Sequence, residues 1–96
     1  MKKLLIIGAG SAGKMVAEEI IENNKLKNRY QIIGFLDDDA TKKSLLDFPV
    51  LGPIDKADDI INQYYINEVI IAIPSASRTL ITEIIGKLGK SPVHTK

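Results

Sequence analysis

The stretch that decides the fold lies near the start of the chain and reads Leu4-Leu5-Ile6-Ile7-Gly8-Ala9-Gly10-Ser11-Ala12-Gly13. Its first four residues form an unbroken apolar run, which is typical of a strand buried on both faces of a parallel sheet. The glycines that follow have the spacing Gly-x-Gly-x-x-Gly, and an amphipathic segment with Val16 and Ile20 comes directly after them. A strand, a glycine turn and a helix in this order predict a phosphate-binding turn.

Each glycine of this turn has a separate predicted task. Gly8 permits the tight turn, Gly10 lets the backbone approach a pyrophosphate, and Gly13 lets the helix pack close to the sheet. The exposed N–H groups at the start of the helix, at Ser11 and Ala12, are predicted to hold the phosphate charge together with the helix dipole. The alternative is a strand-to-helix turn that binds no ligand.

The same residues come close to a second phosphate-binding motif, the P-loop. Gly8, Gly13 and Lys14 fit its first seven positions, but Met15 stands where a hydroxyl group must bind magnesium. We therefore exclude an NTPase site and interpret Lys14 as a solvated residue in the first turn of the helix.

Apolar runs and helical patterns alternate along the rest of the chain. Strands are predicted at residues 4–7, 32–36, 49–51 and 69–73, with the start of another at 93–96. Helices are predicted between them, including one over residues 57–64 with Asp55 as its N-cap and one over residues 80–88. This alternation predicts an α/β fold, a Rossmann-like doubly wound parallel sheet of about 4–5 strands with helices on both faces.

The second predicted strand ends in three acidic residues, Asp37, Asp38 and Asp39. In a dinucleotide site an acidic residue at this position binds the ribose hydroxyls. We assign that role to Asp37, which favours NAD(H) over its phosphorylated form because a carboxylate repels a 2′-phosphate. Asp38 is a further candidate for the site, although Asp38 and Asp39 fit a turn better. A metal site is not expected here, because adjacent side chains on a strand point apart.

The fourth predicted strand runs into Pro74-Ser75-Ala76-Ser77-Arg78. Ligands of open α/β sheets lie beyond the carboxyl ends of the strands, so this loop is expected to face the glycine turn. Pro74, Ser75, Ser77 and Arg78 are therefore predicted to line the nucleotide site. The alternative has Ser77 as a helix N-cap and Arg78 on the surface.

The composition narrows the classes of function. Thirteen basic and twelve acidic residues leave a net charge of +1, which argues against nucleic acid as a partner. The absence of cysteine excludes disulfides and thiolate chemistry. His94 has no identifiable partner, and neither Tyr64 nor Tyr65 has the lysine four residues on that short-chain dehydrogenases use. We predict a nucleotide-binding domain with no catalytic residue and no metal site.

Four blocks in this order resemble one family, at residues 8–13, 33–39, 49–52 and 68–78. They resemble the N-terminal Rossmann-like domain of CapD-type polysaccharide-biosynthesis proteins, the nucleoside-diphosphate-sugar 4,6-dehydratases and epimerases. In that family such a domain precedes a separate catalytic domain of the short-chain-dehydrogenase class, commonly after membrane helices. The resemblance implies an accessory domain of an NAD-dependent lyase or oxidoreductase, and it implies that the active site and any membrane anchor lie elsewhere in the parent protein.

Other functions stay open. A UDP-sugar-binding N-terminal domain of a bacterial sugar acyltransferase shares the glycine turn, the Gly-Phe-Leu-Asp strand end and the Val-Leu-Gly block. A nucleotide-sensing or CoA-binding regulatory module is another alternative, although a redox-sensing repressor would need a basic surface. We expect residues 1–96 to be one cytoplasmic domain, a fragment of a longer multidomain protein that forms homo-oligomers, with a small nucleotide or nucleotide-sugar as its ligand.

Overall fold

A computed structural model describes residues 1–74, 79, 82, 86 and 93–95 of the chain. The strands are β1 (Lys2–Ile7), β2 (Tyr30–Leu36), β3 (Ser44–Leu45), β4 (Phe48–Gly52), β5 (Glu68–Ile71) and β6 (Val93–Thr95). The helices are α1 (Ser11–Glu22), α2 (Asn24–Arg29) and α3 (Ala57–Tyr64), and a 3₁₀ turn at Ile54–Lys56 precedes α3. The helix predicted over residues 80–88 lies, apart from two positions, outside the described residues.

The six strands form one sheet in the order β3-β4-β2-β1-β5-β6. Among the strands that the structure describes, β4, β2, β1, β5 and β6 are parallel neighbours, and only the two-residue β3 pairs antiparallel, with β4. This confirms the predicted Rossmann-like parallel sheet, including the strand expected at residue 93. The chain first forms β2, β3 and β4 on one side of β1 and then β5 and β6 on its other side. The end of β1 therefore lies at the switch point, where ligands of such sheets bind.

The side chains of β1 divide the core into two layers. Leu5 and Ile7 pack on one face of the sheet with Ile60 of α3. Leu4 and Ile6 pack on the opposite face with residues of α1, among them Val16, Ala17 and Ile20. These four of the six β1 side chains are fully buried, and each contributes about 1.5–3 kcal/mol of burial free energy. The apolar run at residues 4–7 therefore reflects a central strand that is covered on both faces, as predicted.

Three local features differ from the sequence prediction. The helix α2 was not predicted because it buries no residue and so has no apolar stripe. The strand β3 was not predicted because it has two residues, joined to β4 by Leu46 and Asp47, both with positive φ as a tight hairpin turn requires. The prediction of Asp55 as an N-cap is wrong, because Asp55 lies inside the 3₁₀ turn and α3 begins at Ala57, with no capping side chain among the described residues.

Within the part of the chain that the structure describes, no helix has the length and apolar character needed to cross a membrane.

Candidate nucleotide-binding site

The turn after β1 depends on Gly8, which has a φ of +110°. The Gly8 N–H donates a 2.7 Å hydrogen bond to the carbonyl of Leu36 at the end of β2. A Cβ atom added to Gly8 would lie 2.5 Å from the carbonyl oxygen of Ala72, which follows β5. The backbone conformation and the close approach of two strand ends thus both require glycine at this position.

The start of α1 sits directly on this turn. Gly13 is buried in the first turn of the helix, and a Cβ atom there would overlap the carbonyl group of Gly8. Gly13 therefore allows the helix to pack closely, as predicted, but the atoms nearest to Gly13 belong to the glycine turn and not to the sheet.

Gly10 differs from the other two glycines because its backbone is extended, with φ −94° and ψ −158°, which any residue can adopt. A Cβ atom on Gly10 would project into open space, where the nearest atom is the Nζ of Lys42 at 3.9 Å. The absence of a side chain at Gly10 therefore preserves free space in front of the turn.

Gly10 is also the N-cap residue of α1, and no side-chain hydrogen bond caps this helix in the described structure. The first N–H groups of a helix have no partner within the helix. Ser11 and Ala12 carry two of these groups and line the cavity beside the turn. A helix start of this kind favours an anionic group, and the binding of a phosphate by Ser11 and Ala12 stays a prediction.

A cavity of about 420 Å³ lies at the switch point of the sheet. Among the described residues, seven predicted site residues line it: Gly8, Gly10, Ser11, Ala12, Asp37, Asp38 and Pro74. Three lining residues were not predicted: Ile54, Ala72 and Ile73. Ala72 and Ile73 could have been inferred from their place between the fourth strand and Pro74. No sequence signal identifies Ile54, because its place depends on how the 3₁₀ turn packs against the sheet.

The remaining predictions for this site concern the loop after β5. Ser75, Ser77 and Arg78 lie outside the described residues, so their proximity to the cavity stays a prediction.

The carboxylate of Asp37 is held in place by backbone and side-chain donors. Its Oδ2 accepts a 2.8 Å hydrogen bond from the N–H of Ala9, and its Oδ1 accepts a 2.9 Å bond from the N–H of Asp39. The ammonium of Lys42 lies 3.4 Å from Oδ2 and also donates to the carbonyl of Ala9 at 3.2 Å. The end of β2 and the glycine turn are thus joined into one hydrogen-bonded unit.

These contacts keep Asp37 ionised. Burial raises the pKa of Asp37, but the N–H groups of Asp39 and Ala9 together with the Lys42 ammonium outweigh it, so the pKa lies below the ordinary value. A carboxylate offers roughly four lone-pair positions. Oδ2 already accepts two donors and Oδ1 accepts one, so Oδ1 retains the capacity to accept a hydrogen bond from a ligand hydroxyl.

Asp38 and Asp39 have different contacts. Asp39 forms a local turn, in which its Oδ1 accepts bonds from the Thr41 hydroxyl at 2.6 Å and the Thr41 N–H at 3.0 Å. These two donors lower the pKa of Asp39. Asp38 instead accepts a 2.9 Å hydrogen bond from the N–H of Ile54, 16 residues away. Asp38 therefore fixes the 3₁₀ turn against the end of β2, which closes one side of the cavity.

A second cavity of about 340 Å³ shares Asp37 and Asp38 with the first. It lies over β4 and the loop after β2, and Lys42 and Lys43 add two cationic side chains to its lining. Among the residues that the structure describes, no group of His, Asp and Glu side chains is arranged to hold a metal ion.

The chain is similar to one described protein family and to several characterised proteins. The sequence model of the family described as PglD N-terminal domain matches residues 3–79. The chain is 38% identical over 77 residues to the probable polysaccharide biosynthesis protein EpsC of Bacillus subtilis, and 28% identical over 86 residues to the capsular polysaccharide biosynthesis protein CapD of Staphylococcus aureus. These matches cover 76% and 86% of the chain but only 12% and 14% of the two relatives, so the chain spans a small part of their length.

Solved structures show the same architecture. UDP-D-quinovosamine 4-dehydrogenase from Vibrio fischeri has a TM-score of 0.78 and 32% identity, covering 98% of this chain and 76% of that one. A Rex-family repressor solved with β-NADH has a TM-score of 0.73 at 18% identity, covering 100% of this chain and 53% of that one, a likeness of fold alone. By sequence, the redox-sensing transcriptional repressor Rex of Desulforamulus reducens is 30% identical over 89 residues, covering 90% of this chain and 40% of that repressor.

Proposed function

Because the chain belongs to the PglD N-terminal domain family, we propose that it binds a nucleotide, with NAD(H) as the first candidate, in the cavity between the glycine turn and Asp37. The observation that carries the proposal is the pairing of an uncapped helix start with an ionised, partly exposed carboxylate across one cavity. The volume of about 420 Å³ falls in the common range of ligand pockets, about 300–1,000 Å³.

The lining residues suggest an orientation for the ligand. The phosphates lie beside Gly10, Ser11 and Ala12, where the helix start offers N–H groups and a favourable dipole. A ribose hydroxyl donates to Oδ1 of Asp37. The base packs between Ile54 and the apolar segment after β5, because these side chains supply the apolar wall of the cavity. Such a ligand contacts both the polar and the apolar residues that line the cavity.

NAD(H) is placed first for two reasons. The ionised Asp37 at the end of β2 disfavours a 2′-phosphate, and a protein of the same fold has been solved with β-NADH. The likeness to UDP-D-quinovosamine 4-dehydrogenase makes a UDP-sugar the second candidate.

The relatives also suggest a parent protein. We propose that the chain is the accessory nucleotide-binding domain of a nucleoside-diphosphate-sugar dehydratase or epimerase of polysaccharide biosynthesis, as the likeness to EpsC and CapD supports. In this proposal the catalytic residues belong to another domain, and residues 1–96 bind the nucleotide without performing the reaction.

Isothermal titration calorimetry of the purified chain tests the proposal, with NAD+, NADH, a UDP-sugar and CoA in parallel. We expect NAD+ or NADH to bind with a dissociation constant below about 1 mM, which corresponds to about −4 kcal/mol. Tighter binding of the UDP-sugar would reassign the ligand, and tighter binding of CoA would do the same. A folded chain that binds none of the four would show that the turn is only structural.

A pair of glycine variants locates the site. Gly10→Val fills the space in front of the turn and should abolish binding. A Cβ atom at Gly86 would meet no atom of the described residues within 4 Å, so Gly86→Val is the matched control and should leave binding unchanged. Equal affinity of the Gly10→Val variant and the unchanged chain would place the ligand elsewhere.

A further inference from the structure

We propose that Lys42 binds the phosphate of the nucleotide and makes the site select nucleoside phosphates over nucleosides. This inference rests on the proposed nucleotide site and deepens it, because it assigns a specificity-determining role to a residue outside the glycine motif. Lys42 lies in the loop between β2 and β3, and the sequence gives no signal that it reaches the glycine turn.

The first argument concerns the space beside Gly10. The backbone of Gly10 is extended, so its φ and ψ angles do not require glycine. The absence of a side chain therefore leaves an opening that a larger residue would fill. The nearest atom to this opening is the Nζ of Lys42, 3.9 Å from where a Cβ atom would stand. A ligand group that enters the opening therefore meets a positive charge on one side and the start of α1 on the other. Both favour an anion.

The second argument concerns the hydrogen-bonding capacity of the ammonium. Lys42 donates to the carbonyl of Ala9 at 3.2 Å and to Oδ2 of Asp37 at 3.4 Å, both long for such bonds. An ammonium has three N–H groups, so one remains for a ligand oxygen. The side chain is 35% exposed, which leaves it accessible from solvent. Lys42 is thus oriented by the turn while it keeps a free donor.

The third argument concerns the charge around the site. Three carboxylates follow one another at the end of β2, namely Asp37, Asp38 and Asp39, and they would repel a phosphate placed beside Gly10. Lys42 stands between the opening and the nearest of them, Asp37, and partly neutralises it. Lys42 and Lys43 both line the second cavity, but in the described structure only Lys42 also bonds to the glycine turn, at the carbonyl of Ala9. Its Nζ lies 3.9 Å from where a Cβ atom of Gly10 would stand, so its charge is the one that a phosphate beside Gly10 meets.

The test compares ligands that differ only in phosphate. We would titrate ADP and adenosine, and UDP and uridine, into the unchanged chain and into Lys42→Met, Lys42→Arg and Lys43→Met. For whichever diphosphate binds, we expect Lys42→Met to weaken its affinity about 10–100-fold, the range of a charge-assisted hydrogen bond. The matching nucleoside should change less than about twofold, within the error of distant substitutions.

The two control variants separate charge from structure. Lys42→Arg keeps the cation and should retain most of the diphosphate affinity, whereas Lys43→Met removes the same charge one residue away and should have little effect. Unchanged diphosphate binding by Lys42→Met would overturn the assignment of Lys42 alone. An equal loss of diphosphate and nucleoside would also overturn it, because Lys42 would then act only by orienting Asp37. Failure of the unchanged chain to bind either diphosphate would overturn this inference, whereas the proposed function fails only if NAD+, NADH and the UDP-sugar are not bound either.

Discussion

The carboxylate of Asp37 accepts a 2.8 Å hydrogen bond from the backbone N–H of Ala9, although the two residues are 28 positions apart in the sequence. The acidic residue that closes β2 and the turn that follows β1 are therefore parts of one structure. Lys42 strengthens this connection because it binds the carbonyl of Ala9 and the carboxylate of Asp37 at the same time. A change at Asp37 should consequently affect both the stability of the fold and the shape of the nucleotide site.

Replacing Asp37 with asparagine should lower the free energy of unfolding by about 1–3 kcal/mol, the cost of a lost charge-assisted bond to a buried group. A carboxamide has one acceptor oxygen, so it cannot accept bonds from both Ala9 and Asp39 as the carboxylate does. Urea denaturation at pH 7 measures the change. Glu22→Gln, an exposed residue at the end of α1, is the matched control and should change stability by less than about 0.5 kcal/mol. Equal stabilities of the two variants would contradict the structural role of Asp37.

The stabilisation by Asp37 should depend on pH. The pKa of Asp37 is lowered in the folded chain from the ordinary 3.8, because its N–H and Lys42 partners outweigh burial. The folded state therefore favours the ionised form. Its contribution to stability is present above the ordinary pKa and is lost as pH falls through the lowered pKa. The difference in unfolding free energy between the unchanged chain and Asp37→Asn should be constant near neutral pH and shrink in acid. A difference that grows on acidification would show that the sign is wrong.

Two alanine substitutions in the glycine turn should affect different properties, the first the stability of the fold and the second the affinity for the nucleotide. Gly13→Ala places a methyl group against the carbonyl of Gly8, and we expect it to destabilise the fold by about 2 kcal/mol or more, since backbone must move. Gly10→Ala meets no atom closer than the Nζ of Lys42, so the fold should remain stable while nucleotide affinity falls. Thermal unfolding and calorimetric titration of both variants measure the two effects. Similar thermal stability of the two variants would refute the close packing of α1 on the turn.

A separate cluster at the opposite end of the sheet should respond to alkaline pH. Burial and a hydrogen bond to Glu68 raise the pKa of Tyr30, and the carboxylate of Glu68 also forms a 2.9 Å ion pair with Lys2. The folded state favours the protonated phenol, so its contribution to stability is present below the ordinary pKa of 10.0 and is lost as pH rises through the raised value.

The variant Tyr30→Phe checks this expectation. It should cost about 1 kcal/mol near neutral pH, the value of a typical hydrogen bond. The difference from the unchanged chain should shrink in strong alkali, as followed by urea denaturation at several pH values. A constant difference across the alkaline range would show that the phenol of Tyr30 titrates as it does in the unfolded chain.

Local patterns in the sequence were sufficient to predict the main elements. The apolar run of β1, the glycine spacing and the helical period of α1 lie within about 20 consecutive residues, and each reflects short-range geometry. The same reasoning identified β5 with small errors at its ends and α3 with the bounds that the structure has, although the predicted N-cap of α3 was wrong. It missed α2 and β3 because a helix without a buried face and a two-residue strand leave no periodic signal.

The sequence by itself therefore determined a parallel α/β sheet, a glycine turn at the end of its first strand and an acidic residue at the end of its second. Only the tertiary structure decided that Asp37 binds the N–H of Ala9, that Asp38 holds Ile54 and that Lys42 faces the space beside Gly10. The physical reason is that these contacts join loops whose positions depend on strand order, and strand order depends on the packing of the whole sheet.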